Sequence, residues 1–159
     1  MKTFYKVTDI IYFIIQKIAL VLLAAVMTLL FVQTVLRFTL GISLSWAEEL
    51  CRYMTIWMTL LASGIGIRKE IHVGFDLLKN KLPKKLKNKL LILINAVVFA
   101  FSFLLLTEGY KLVQQTRMQT SSSLGFSMAY VYSSLVVGAI LIAIFSAEAV
   151  LQRVVKDRC

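Results

Sequence analysis

Apolar and polar positions alternate along this chain in long blocks. Apolar residues dominate about 11–36, 46–67, 86–107 and 129–150, with basic or hydroxyl-rich segments between them. A helix needs about 20 apolar residues to cross a hydrocarbon core near 30 Å thick, and each block has that length. In the second block the charge-free part, 53–67, is only 15 residues, or about 22 Å of helix at ~1.5 Å per residue. That helix therefore begins earlier, near Ser45, and carries Glu48, Glu49 and Arg52 at the membrane edge. Glu48 and Arg52 have the i,i+4 spacing of a helical ion pair, and Ser43 or Ser45 is placed to cap the start. Trp46, Tyr53 and Trp57 return to one helical face.

Beyond the second block, Ile71, Phe75, Leu78 and Leu82 recur at helical intervals among charged residues. This predicts an amphipathic helix over about 69–82, lying in the interface and ended by Pro83. The polar segment 114–127, with Ser121, Ser122 and Ser123, reads as an external connection or short re-entry. In the last block Ala139, Ala143 and Ala147 form a small-residue stripe that permits close helix approach. The pattern predicts an all-α integral membrane protein: one domain over 1–159, with four transmembrane helices and one interfacial helix.

Charge orients this arrangement. Of the 18 Lys and Arg residues, 14 fall at the two termini and between the second and third spans, and 4 on the opposite side. Basic segments resist translocation, so both termini are expected in the cytoplasm. The net charge of +10 does not point to nucleic acid. Its concentration at Lys79, Lys81, Lys84, Lys85, Lys87 and Lys89 suits anionic phospholipid headgroups. Cys51 and Cys159 are expected on opposite membrane faces, which precludes a bond between them. The charge-free run 18–36 is 19 residues, longer than the apolar region of a signal peptide, and is expected to remain as an anchor.

The centres of the four spans lack ionisable residues, the usual marks of a transport path or proton relay. Gln33 and Asn95 are the most polar residues within the spans and are expected to make helix contacts. His72 is the only histidine, so one chain cannot ligate haem through two histidines. No nucleophile is placed beside that histidine to suggest a hydrolase. The residues describe a scaffold without independent catalysis or transport, and without a cofactor of its own.

Two motifs add a resemblance. Trp46, Glu48, Glu49, Arg52 and Trp57 form W-x-E-E-x-x-R-x-x-x-x-W; Arg68, His72, Val73, Phe75 and Asp76 form R-x-x-x-H-V-x-F-D. Together they resemble the small membrane subunit of tripartite ATP-independent periplasmic (TRAP) transporters, with agreement in span number and length over nearly the whole chain. The resemblance implies a bacterial inner-membrane protein that scaffolds a large, sodium-coupled elevator subunit, where the sodium ions bind. A periplasmic binding protein would deliver an organic acid such as a C4-dicarboxylate or sialic acid. It also implies intersubunit contacts for Trp46, Glu48, Glu49, Arg52, Trp57, Arg68, His72 and Asp76. On the residues alone, the two tryptophans are most simply interface anchors or packing residues, and the alternative for the Glu-Glu-Arg cluster is a self-satisfied surface pair. The rival reading is a four-span structural or assembly subunit of an unrelated inner-membrane complex.

Overall fold

A computed structural model describes residues 2–69 and 84–158, with side chains placed for 6–69 and 90–151. The helices are α1 (Lys2–Leu40), α2 (Ser45–Arg68), α3 (Lys84–Gln115) and α4 (Ala129–Arg158). All four are long and apolar enough to cross a membrane. The expected interfacial helix over 69–82 lies outside the described residues, apart from Lys69 in the turn that closes α2.

Each helix outruns the apolar block that predicted it. Polarity ends burial in lipid, but it does not end a backbone hydrogen-bond ladder, which needs a breaker. At 39 residues, α1 is about 58 Å long at ~1.5 Å per residue and projects well beyond a ~30 Å core. It stops at Gly41, whose φ of 67° lies in the left-handed region that other residues avoid. α3 runs through Glu108 and Lys111, which pair one turn apart at 2.7 Å, before ending at Gln115. The start of α2 differs from expectation. Leu44 occupies the cap position and no side chain bonds the first turn, so neither Ser43 nor Ser45 caps it.

The helices pack in the order α1, α2, α4, α3. On α1 the buried positions Thr8, Ile15, Val26 and Gln33 follow coiled-coil-like steps, giving a narrow seam against α2. The rest of α1 exposes Phe13, Val21, Phe31 and Phe38, as a lipid- or partner-facing helix does. α4 is central, with Phe145 fully buried among Ile15, Leu61, Ile67 and Leu141. Its crossing with α2 depends on Gly138 and Gly64. A Cβ at Gly138 would lie 3.0 Å from Leu60 Cβ, and one at Gly64 would lie 3.3 Å from both Leu141 and Phe145. The small-residue stripe contributes Ala139, which is buried, but the closest approach is made by the neighbouring glycine.

Hydroxyls inside the helices are consumed locally. Ser102, Ser134 and Ser146 are buried and donate to carbonyls three or four residues back. This is how a polar group is satisfied where no water reaches. Asn95 does the same, its Nδ2 donating to the Leu91 carbonyl at 2.8 Å. The expected helix–helix bond from Asn95 is therefore an intrahelical one.

Candidate functional site

Two polar clusters occupy opposite ends of α2, and between them they hold three of the residues that the motifs single out, Glu48, Glu49 and Arg68. At the C-terminal end Arg68 is a hub. Its Nη1 donates to the Thr8 carbonyl at 3.0 Å and its Nη2 donates to Asp9. The same Nη2 lies 3.3 Å from Glu148 Oε1. The guanidinium also sits 4.8 Å from the Tyr12 ring centre and 5.7 Å from that of Phe145. One cation thus joins α1, α2 and α4, and the rings shield it while the carboxylates supply charge.

Glu148 makes this cluster costly to disturb. It is 2% exposed, and removing one partner of a buried ion pair costs more than the pair itself contributes. Reasoning from the sequence missed both Glu148 and Asp9. An acid embedded in the last apolar block was the available signal, because such a group demands a partner. Arg68, expected to meet another subunit, has its guanidinium engaged within the chain.

At the N-terminal end of α2, Glu48 and Glu49 point to different neighbours. Gln33 Nε2 donates to Glu48 Oε1 at 2.8 Å, linking α1 to α2. The carboxylate only accepts, so the amide turns its NH2 inward and its own carbonyl is left buried without a donor. Gln33 therefore makes the helix contact expected of it. Glu49 accepts from the Tyr53 hydroxyl through one oxygen and from the Ser123 backbone N–H at 2.8 Å through the other. The Tyr53 hydroxyl is also 3.2 Å from Met128 Sδ, and its ring meets Phe126 edge-on at 5.6 Å. This cluster pins the α3–α4 connection to α2.

The connection is a compact clip. Met128 N donates to Gln119 O at 2.8 Å, Ser121 N donates to Phe126 O at 2.9 Å, and Thr120 pairs with Ser127. The expected Glu48–Arg52 ion pair does not form, because Glu48 is taken by Gln33. Arg52 is exposed and makes no hydrogen bond or ion pair among the described residues. Trp46 is 44% exposed, while Trp57 is half-buried against α1 and α4. His72, Asp76, Lys79 and Lys81 lie outside the described residues. Lys84, Lys85, Lys87 and Lys89 fall on the first turns of α3.

The arrangement defines a class: a multi-span helical protein whose polar groups fasten its own helices at both ends. Residues 26–156 match the family described as "Tripartite ATP-independent periplasmic transporters, DctQ component", and the chain belongs to that family. It is a multi-pass component of the bacterial inner membrane, a transport subunit rather than an enzyme. It is 29% identical over 119 residues to the sialic acid TRAP transporter small permease protein SiaQ of Vibrio cholerae, covering 75% of this chain and 69% of that protein. It is 35% identical over 103 residues to the C4-dicarboxylate TRAP transporter small permease protein DctQ of Rhodobacter capsulatus, covering 64% and 45%. The sialic acid TRAP transporter permease protein SiaT of Haemophilus influenzae is 27% identical over 120 residues, covering 76% of this chain and 20% of that protein. The matched region thus spans less than half of the Rhodobacter protein.

Proposed function

We propose that this chain braces a large membrane subunit that itself binds the substrate and sodium ions. The transported solute is an organic acid, a C4-dicarboxylate, sialic acid or similar carboxylate, delivered by a periplasmic binding protein. The observation that carries this reading is the family match over residues 26–156. The relatives' names supply the carboxylate class. A region like this chain makes up only a fifth of SiaT, which favours permanent association with a larger membrane partner.

The residues fit such a brace. Hydroxyls within the spans are bonded to their own backbone, and the ionic groups are gathered at the ends, so no polar track crosses the described bundle. Both termini lie in the cytoplasm in this reading, on the strength of the 14-to-4 distribution of basic residues. Lys79 to Lys89 then meet anionic phospholipid, with His72 and Asp76 beside the large subunit. The α3–α4 clip faces the periplasm, where the binding protein docks. Arg52 and Trp46 are the groups at that end best placed to reach the large subunit, because Glu48 and Glu49 are already engaged within the chain. Lateral contact through α1 supplies the apolar part of the interface.

Purification of the tagged chain from its native membrane, followed by identification of what remains bound, tests the proposal. A very hydrophobic many-span permease at equal stoichiometry is the expected companion. Recovery of the chain alone, or with subunits of a respiratory or other unrelated complex, would overturn it.

A further inference from the structure

Between the end of α3 and the start of α4 lies a groove of about 540 Å³, lined by Tyr110, Val113, Gln114, Arg117, Tyr130 and Ser133 among others. Its position is fixed from below. Ser127 Oγ donates to the Arg117 carbonyl at 2.8 Å, and the neighbouring backbone bonds of the clip hold Arg117 against the first turn of α4. Tyr110 and Tyr130 are 58% and 70% exposed, and neither hydroxyl is hydrogen-bonded among the described residues. Val113 and Ala129 contribute apolar surface to the groove.

Arg117 pairs with no carboxylate among the described residues. Residues 109–147 contain no acid. Glu108 is held by Lys111 at 2.7 Å, and Glu49 is held by Tyr53 and Ser123. The guanidinium makes no ion pair among the described residues. An arginine and two exposed tyrosines lining one groove, with apolar residues beside them and at the end of two membrane-crossing helices, suit a phosphodiester with acyl chains attached. Guanidinium groups bind phosphate oxygens in a fork, tyrosines favour headgroup depth, and a pocket of this size takes a small ligand group.

We propose that this groove binds the headgroup of an anionic phospholipid, phosphatidylglycerol in type, with Arg117 on the phosphate and Tyr110 and Tyr130 flanking it. The site lies at the opposite end of the bundle from the lysine-rich segment. Its binding chemistry depends neither on which membrane side that end faces nor on the transporter assignment, so failure of one leaves the other standing.

Native mass spectrometry of the full chain, released from bilayers of phosphatidylethanolamine with a minor share of phosphatidylglycerol, reads the site directly. The wild type is expected to retain phosphatidylglycerol above its share of the bilayer. Arg117→Gln is expected to lower that retention about tenfold, the scale of one lost charge-assisted contact. Arg37→Gln, which removes a cation at the same end but outside the groove, is expected to change nothing. Arg117→Lys, keeping charge without the fork, is expected to fall between. Helical circular dichroism and a single elution peak establish folding for each variant, and Tyr130→Phe gives a second reading through one lost hydroxyl. Equal retention by Arg117→Gln and Arg37→Gln would overturn the proposal. So would Arg117-dependent binding of inorganic phosphate without lipid retention, or capture of a soluble protein that depends on Arg117 while lipid retention does not.

Discussion

The two ends of α2 fasten the bundle by different physics. At Arg68 a single cation gathers α1, α2 and α4 through Asp9, Glu148 and the Thr8 carbonyl. At Glu48 and Glu49 two carboxylates are satisfied by an amide, a phenol and a backbone N–H, with no cation bonded to either. The first end shares one cation between a buried carboxylate, Glu148, and an exposed one, Asp9, so removing that cation disturbs three helices together. The second is a set of separate hydrogen bonds, each worth about 1 kcal/mol net. The consequence for function is the position of Arg52. Hydrogen bonds satisfy the second end, and its Arg52 is exposed and makes no ion pair among the described residues, whereas Arg68 at the first end is mostly buried and engaged within the chain.

The largest effect expected from breaking either end is therefore at Arg68. Arg68→Ala should destabilise the chain by about 3 kcal/mol, since it removes the cation that ties α1, α2 and α4 together beside the buried Glu148; thermal unfolding in detergent measures it. Arg68→Leu combined with Glu148→Leu should recover much of that loss, because the cost lies in the uncompensated charge. If the double variant is no better than Arg68→Ala, the hub works through shape and not charge. Midway between the ends, Gly138→Val should cost about 2 kcal/mol by forcing α2 and α4 apart at Leu60. An unchanged melting temperature would show that the crossing has room to spare.

Glu49→Ala comes next, at about 1.5 kcal/mol, through loss of the Tyr53 and Ser123 contacts. Its sharper signature is local: trypsin should cut after Arg117 faster once the clip is released, and an unchanged cleavage rate would separate the clip from Glu49. Arg52→Glu should have the smallest effect on stability, within about 0.5 kcal/mol for an exposed residue without partners. It should nonetheless reduce recovery of the large subunit with the chain. Full recovery would remove Arg52 from the proposed interface.

How much of this the sequence made legible follows from what sequence patterns encode. The four membrane helices follow from apolar block length, and the start of α2 at Ser45 follows from a span that would otherwise be too short. The Arg68 hub was out of reach because its partners lie 59 and 80 residues away, and helical spacing relates only near neighbours. The Glu48–Arg52 expectation was drawn from that local rule and failed because Gln33, on another helix, reaches Glu48 first. The alanine stripe on α4 pointed to close helix approach without naming a partner, while the tight contacts with α2 fall at Gly138 against Leu60 and at Gly64 against Leu141 and Phe145. Such pairing across helices becomes visible only when both faces are placed.

The central claim is that the chain supports transport without carrying it. Uptake into proteoliposomes, with the chain alone, the large subunit alone, and the two together with their binding protein and a sodium gradient, tests it most directly. The chain alone is expected to give no uptake, with full uptake only when both membrane subunits are present. Solute movement catalysed by the purified chain alone would contradict it.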